Sequence, residues 1–215
     1  MAMRSRLEEL NIVRIGTVIS YSSLREIGER LLESFHGAIR AFHLAHHDSP
    51  MVGSIDAQLL TMVLELEFGG HTLGITDAEL KTEDRDAFYH TIIGGKNPRN
   101  DVAVVSTRKL CPERIGSDRD YRLMMGRILK VALHEVGHNL GLTDHPEQRF
   151  ARNGGLCPMS RPGFERLGYR AYVRTVVDGR GLSFCDDCSR FLSMLHGYRC
   201  NTDWTKPAGL RPSDC

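Results

Sequence analysis

The segment His134–His145, with the sequence HEVGHNLGLTDH, constrains this chain more than any other part. His134 and His138 are four residues apart, so on a helix both imidazoles lie on one face, one turn from each other. Two imidazoles in that arrangement can bind one tetrahedral zinc ion, and Glu135 then lies beside the remaining coordination position. The segment predicts an active-site helix of the HExxH type, with Glu135 as the catalytic residue.

The short HExxH pattern also occurs in helices whose histidines bind no metal, so the following residues matter. Gly141 can end the helix in a left-handed turn, because glycine adopts that conformation without strain. The chain can then turn back so that the residue three positions later, Asp144, faces the metal. We predict His134, His138 and Asp144 as ligands of a catalytic zinc. The alternative third ligand is His145, with Asp144 as an ordinary turn residue.

The composition predicts one globular domain, because 41% of the 215 residues are hydrophobic and 26% are charged. The 28 basic and 27 acidic side chains give a net charge of +1, so we expect neither a nucleic-acid partner nor a membrane partner. Glu8 and Glu9 lie where a signal peptide would be apolar, and no later apolar run has the length of a membrane span. These features predict a cytoplasmic protein, which we expect to be a monomer.

Hydrophobic periodicity predicts an α/β fold of the α+β kind, with a mixed sheet and packed helices. Strand patterns cover residues 11–20, 38–47, 71–77 and 101–110, and helical patterns cover 24–35, 55–67 and 117–141. The first strands and helices alternate, which favours parallel strand pairing. A polar stretch with Gly94, Gly95 and Pro98 separates the last two strands and is interpreted as a loop that lines a cleft.

After Gly141 the sequence becomes irregular and glycine-rich, apart from a short helical pattern at 189–198. We therefore predict a single domain over residues 1–215, with an N-terminal α/β lobe (1–141) and a small, loop-rich C-terminal lobe (142–215). A lobe this poor in apolar pattern usually needs a stabilising metal or cross-link. The CxxC pair Cys185 and Cys188 is more typical of a metal or redox site than of a disulfide framework in a reducing compartment.

Together these residues resemble the archaemetzincins, zinc metallopeptidases of the metzincin group. The family continues HExxHxxGxxH with a Cys, then a second Cys in a CxM segment, then a CxxC pair. The resemblance covers Leu73 to Cys188, and the matching residues are His134, Glu135, His138, Gly141, Cys157, Met159, Cys185 and Cys188. It implies a metzincin-like fold and up to two zinc ions per chain, one catalytic and one structural. Met159 would form the apolar floor of the catalytic site, although ordinary core packing explains it equally well.

Two positions depart from the family pattern. Asp144 stands where the family has its third catalytic His, and His145 stands where it has a Cys. Both replacements are chemically competent, because a carboxylate oxygen binds zinc and a Cys3His set is a known structural zinc site. The resemblance then implies a structural zinc held by His145, Cys157, Cys185 and Cys188, with Cys200 as a competing ligand. The spacings before Cys157 and Cys185 exceed the family's, which indicates loop insertions, and Cys111 and Cys215 have no assigned role.

The leading functional hypothesis is a zinc-dependent metallopeptidase that hydrolyses peptide bonds, with Glu135 transferring the proton. The resemblance implies a peptide substrate and an aminopeptidase-like preference for short peptides. The strand at 101–110 could pair with an extended substrate by β-augmentation, or it could be an interior strand. The rival hypothesis is a catalytically silent, zinc-stabilised peptide-binding domain. The intact Glu135 favours the enzyme, since a binding domain does not need this carboxylate.

Overall fold

The computed structural model describes residues 9–16, 19–35, 37–48, 53–81, 93–96, 99–112, 115–162 and 167–196. Glu8, Pro98, Cys200 and Cys215 lie outside these ranges. The elements are β1 (Glu9–Ile15), α1 (Tyr21–Ser34), β2 (Ala41–His47), β3 (Ser54–Asp56), α2 (Ala57–Phe68), β4 (Thr72–Thr76), β5 (Glu79–Lys81), β6 (Gly94–Lys96), β7 (Val102–Ser106), α3 (Asp118–Asn139), α4 (Tyr169–Tyr172) and α5 (Asp186–His196). None of the described helices is both long and apolar enough to cross a membrane.

The main sheet has five strands in the order β2-β1-β4-β7-β6. The first four are parallel, and β6 pairs antiparallel with β7. Helices cover both faces, so every residue of β7 is buried. Ala103 and Val105 contribute to the core formed with α1 and α3, whereas Val102 and Val104 contribute to the core formed with α2. The predicted mixed sheet with packed helices is confirmed.

One sequence prediction about the region before α3 is wrong: the Gly94–Lys96 segment, predicted as a loop, is the strand β6. The strand predicted at 101–110 is present as the shorter β7. Of its two open alternatives the structure shows the interior strand, between β4 and β6, so β7 offers no free edge to a substrate. A three-residue Gly-Gly-Lys strand has no apolar alternation, and only its pairing with β7 defines it. Among the described strands, β6 is therefore the edge beside α3.

The long helix α3 has the predicted start and end. The Ser117 side chain accepts a hydrogen bond from the Asp120 N–H at its N-terminus. Gly141 has a φ of 92° after its C-terminus. There the Gly141 N–H donates to His138 O, and the Leu142 N–H donates to Gly137 O, both at 2.9 Å. These two bonds form a Schellman motif, which turns the chain back toward the helix.

The region after Gly141 packs on the same core as α1 and α3. The rings of Phe184 and Phe35 lie 5.1 Å apart, and Val176 and Val177 are buried in that core. Helix α4 continues into a π-helical turn (Val173–Val177), neither of which the sequence predicted. Its valines disfavour helix locally, but packing outweighs that propensity. Helix α5 begins at Asp186, three residues before the predicted start. The prediction missed the first turn because that turn has no apolar periodicity.

A matched pair of glycine substitutions tests the packing of α1 on β2. A Cβ on Gly28 in α1 would lie 2.5 Å from the Phe42 ring, whereas a Cβ on Gly126 in α3 would meet no atom within 4 Å. Gly126→Ala should raise the free energy of unfolding by up to about 1 kcal/mol through helix propensity. Gly28→Ala should lower it, because overpacking costs about 1–3 kcal/mol. Urea unfolding followed by circular dichroism measures both, and equal stabilisation by the two would contradict the packing.

Candidate metal centres

Three donor atoms converge at the C-terminal end of α3. The Nε2 atoms of His134 and His138, one helical turn apart, are separated by 3.2 Å. Oδ1 of Asp144, which follows the helix, lies 3.4 Å from Nε2 of each histidine. A tetrahedral zinc ion with bonds of about 2.0–2.1 Å has neighbouring ligand atoms about 3.3 Å apart. The three spacings fit three vertices of such a tetrahedron.

Backbone carbonyls orient both imidazoles. Nδ1 of His134 donates to the Pro158 carbonyl at 3.0 Å, and Nδ1 of His138 donates to the Leu142 carbonyl at 2.8 Å. A carbonyl can only accept, so each Nδ1 carries a proton, and in a neutral imidazole Nε2 then keeps the lone pair that binds a metal. Burial, with a smaller contribution from the Arg180 cation, lowers the pKa of His134 well below its ordinary value. The ring is therefore neutral at neutral pH, as a zinc ligand must be.

The Asp144 carboxylate has one paired oxygen and one unpaired oxygen. Oδ2 accepts a hydrogen bond from Nη1 of Arg161. Oδ1 is buried and has no hydrogen-bond donor in the described part of the chain. Burial alone would raise the pKa of Asp144, but its interactions with His138, His134 and the Arg161 cation outweigh it, and the pKa falls well below its usual range. A buried, ionised oxygen without a donor is suited to a cation.

Glu135 lies beside these donors and is almost completely buried. Burial raises the pKa of its carboxyl group to about 7, against a lowering effect from His138. The edge strand β6 approaches it closely. A Cβ added to Gly94 would lie 2.7 Å from Oε1 of Glu135, so the strand can approach this carboxylate only because residue 94 is glycine. The site thus contains a buried acid–base group next to the three donors.

A tight turn at Cys157–Ser160 packs against the histidine face of α3. The Ser160 N–H donates to the Cys157 carbonyl at 2.9 Å, and Met159 is fully buried. A Cβ on Gly137 would lie only 2.7 Å from Sδ of Met159. The glycine between the two histidines therefore provides the space for this turn. Met159 thus lies where the Met-turn interpretation expects it, and it is also part of the hydrophobic core.

A second group of donors lies next to the first. Nε2 of His145 is 3.1 Å from Sγ of Cys188 and 3.4 Å from Sγ of Cys185, and Sγ of Cys157 is 3.9 Å from Sγ of Cys188. All four donor atoms lie within 4.8 Å of one another. With Zn–S bonds of about 2.3 Å, neighbouring thiolates of a tetrahedral site are about 3.8 Å apart. A Cys3His zinc site fits these residues.

The cysteines of this second group are not joined by disulfide bonds. Hydrogen bonds from Cys157 and then Cys188 lower the pKa of Cys185 far below its ordinary value. These hydrogen bonds favour the thiolate, the form of cysteine that binds metal. Cys111 lies apart from both groups, with its sulfur 3.3 Å from Sδ of Met124.

The eight residues predicted for the two sites are brought together in two adjacent groups, and consecutive residues divide between them. Asp144 faces His134 and His138, whereas His145 faces the cysteines. Sequence reasoning missed Arg161, the two carbonyl acceptors and the close approach of Gly94 to Glu135. No residue pattern marks a backbone carbonyl or an isolated arginine, although Gly94 is notable as part of a glycine pair.

The sequence is similar to curated archaemetzincins. It is 34% identical over 77 residues to archaemetzincin from Pyrococcus furiosus, which is 36% of this chain and 38% of that protein. It is 39% identical over 61 residues to archaemetzincin from Pyrococcus horikoshii, which is 28% of this chain and 32% of that protein. The matched segments thus span less than two-fifths of these relatives. No protein-family model matches the sequence.

The fold is that of solved archaemetzincins. The crystal structure of archaemetzincin from Methanopyrus kandleri matches 90% of this chain and 98% of its own, with a TM-score of 0.63 and 21% identity. Archaemetzincin from Archaeoglobus fulgidus, complexed with malonate, matches 85% of this chain and 99% of its own, with a TM-score of 0.57 and 17% identity. The crystal structure of a zinc-dependent peptidase from Methanocorpusculum labreanum matches 85% of this chain and 99% of its own, with a TM-score of 0.56 and 19% identity. Relatives and fold together confirm the resemblance to this family.

The contact between Gly137 and Met159 can be tested by a double-mutant cycle. Gly137→Ala should destabilise the protein by about 1–3 kcal/mol despite its better helix propensity, because the new methyl group overlaps Sδ of Met159. Met159→Ala should cost about 2–5 kcal/mol through the cavity it leaves. The double variant should lose less than the sum, since one change relieves the other. Gly126→Ala, in the same helix, should be additive with Met159→Ala. Additivity of Gly137→Ala with Met159→Ala would contradict the contact.

Proposed function

We propose that this chain is a zinc-dependent metallopeptidase of the archaemetzincin type. The observation that carries the proposal is the spacing of 3.2–3.4 Å between the donor atoms of His134, His138 and Asp144, with the buried Glu135 beside them. The likeness to proteins named archaemetzincin and zinc-dependent peptidase supports it. From the near-neutral charge we continue to predict neither a nucleic-acid partner nor a membrane partner. The monomeric state also stays a prediction.

The proposed mechanism assigns a separate task to each residue. When bound by His134, His138 and Asp144, zinc would supply Lewis acidity toward a water molecule and the scissile carbonyl. Glu135 accepts a proton from the attacking water and passes it to the leaving amine nitrogen. The pKa of about 7 that burial gives Glu135 suits a group that both takes up and releases a proton near neutral pH. The Pro158 and Leu142 carbonyls keep both imidazoles in the orientation this requires.

We propose that a peptide substrate pairs with the outer edge of β6. This strand pairs with β7 on one side, and no described strand covers its other side. Gly94 brings the edge within contact of Glu135, so a peptide extended along β6 would pass the proton-transferring group. Main-chain pairing is largely independent of side chains, which is consistent with a peptidase that binds short peptides.

The aminopeptidase-like preference is part of this proposal and rests on the family resemblance. The rival function, a silent peptide-binding domain, is disfavoured by Glu135. Burying a carboxyl group costs free energy, and a binding domain would gain nothing from it, whereas an acid–base catalyst requires it.

We further propose a second, structural zinc bound by His145, Cys157, Cys185 and Cys188, giving two zinc ions per chain. Three buried sulfurs and one imidazole, with donor spacings of 3.1–3.9 Å, support this assignment. His145 and Cys157 lie in irregular segments before α5. The metal would therefore fix a region that has few strands and helices of its own.

Two neighbouring substitutions distinguish the two zinc sites. Asp144→Ala should release one zinc per chain and leave the zinc bound by the cysteines in place, because it removes no ligand of the second site. His145→Ala should release or weaken the other zinc and lower the melting temperature by several degrees, because structural zinc contributes directly to folding. Elemental analysis of protein purified without chelator and differential scanning calorimetry measure these outcomes.

The assignment would be reversed if His145→Ala emptied the catalytic site alone. Cobalt substitution identifies the site that is lost, because thiolate-to-cobalt charge-transfer absorption arises only where cysteines bind the metal. Wild-type protein without zinc, and without uptake on reconstitution, would contradict both sites. Cys111→Ser is the matched control, since Cys111 lies outside both groups and should change neither zinc content.

Replacing Glu135 separates catalysis from metal binding. Glu135→Gln should leave both zinc ions in place and reduce kcat by at least about 10²-fold, because the amide cannot accept the proton. Short fluorogenic peptides with free and with acetylated N-termini serve as substrates, and hydrolysis of the free form alone would support the aminopeptidase preference. Equal turnover by the variant and the wild type would exclude the mechanism. Zinc-loaded wild type that binds but does not cleave the peptides would favour the binding-domain alternative.

A further inference from the structure

We propose that Arg161 is a positioning residue. It holds Asp144 as a one-oxygen ligand of the catalytic metal and balances the negative charge of that carboxylate. This inference rests on the proposed function, since it assumes that Asp144 binds the metal. It goes beyond the family resemblance, which supplies a His at position 144 and says nothing about residue 161.

The two oxygens of Asp144 have different environments. Arg161 binds Oδ2, while Oδ1 lies 3.4 Å from Nε2 of His134 and of His138 and has no hydrogen-bond donor among the described residues. A carboxylate with both oxygens free can rotate or bind a metal through two atoms. With Oδ2 occupied by a guanidinium, Oδ1 is left to face the histidines, so the pairing selects one binding mode.

Arg161 is also attached to the same segment through its backbone. Its N–H donates to the His145 carbonyl at 2.8 Å, and the His145 N–H donates to the Met159 carbonyl at 2.8 Å. These bonds form a short parallel bridge between His145 and Ser160. Side chain and backbone of Arg161 therefore act on adjacent residues, and the bridge keeps the backbone of Arg161 beside the segment that carries Asp144.

The charge of the pair is the second part of the inference. Two neutral imidazoles and one carboxylate give a ligand set of charge −1, whereas three imidazoles give zero. The Arg161 cation restores zero, and only 17% of its side chain and 30% of that of Asp144 are exposed. At such burial the interaction between two charges is weakly screened. The Asp144–Arg161 pair thus has the same net charge as the single neutral His of the family pattern.

Metal affinity in two backgrounds tests this role. Arg161→Met should weaken zinc binding at the His134 site by about 10–100-fold, the usual effect of removing an outer partner of a metal ligand. In an Asp144→His background the same change should strengthen zinc binding, because it removes a cation beside a neutral ligand. Chelator competition measures the zinc affinity. The d–d absorption of the cobalt-substituted protein reports the coordination geometry, and the charge-transfer band of the cysteine cluster reports that the fold is intact.

The sign change between backgrounds distinguishes positioning from a general structural role. Weakening in both backgrounds, or no change in either, would overturn the proposal. If Arg161→Met does not fold, Arg161→Lys provides the test, because it keeps the charge and should lose less affinity than Arg161→Gln; equal losses would overturn the charge argument. Asp144→Ala distinguishes a failure of the Arg161 inference from a failure of the proposed function. If it leaves the His134 site fully occupied, the ligand assignment is wrong, whatever Arg161 does.

Discussion

The packing of the Cys157–Ser160 turn against the histidine face of α3 is the interaction on which both groups of donor atoms depend. Its Pro158 carbonyl orients His134, and its Met159 carbonyl binds the N–H of His145. Cys157 itself belongs to the cysteine group. This arrangement requires Gly137, because any side chain there would overlap Met159. One turn therefore sets the geometry of both groups of donors, and a displacement of the turn would disturb both.

The hydrophobic core around α3 stabilises a region that contains polar groups whose burial costs free energy. Glu135 is a buried carboxyl group, and Oδ1 of Asp144 is a buried acceptor without a donor. An unsatisfied buried group costs about 1–3 kcal/mol, and more if it is charged. The other face of α3 is buried in a large core shared with α1 and the sheet, and this burial offsets the free energy that the polar groups cost. Arg127 adds a bidentate pair with Asp178 at 2.7 Å, which ties α3 to the segment after the π-helical turn.

Much of the N-terminal fold followed from periodicity, and the errors have a common cause. The four parallel strands of the main sheet and the helices α1, α2 and α3 were predicted because each has several buried apolar residues at regular spacing. The short parallel pair β3–β5 was not predicted. β6 was missed because Gly94 and Gly95 carry no such signal. The π-helical turn was missed because its valines favour extended chain. In both cases contacts with distant residues, β7 and α3, outweigh the local preference.

The sequence by itself determined the local geometry of the site. The spacing of His134 and His138 puts them on one helix face, Gly141 ends the helix, and the adjacency of Asp144 and His145 makes their side chains diverge. These relations involve neighbours in the chain, so local backbone rules fix them. Only the tertiary structure decided which residue faces which group, that Arg161 holds Asp144, and that β6 forms the edge beside Glu135. Those contacts join segments separated by loops, and no local preference determines how such segments meet.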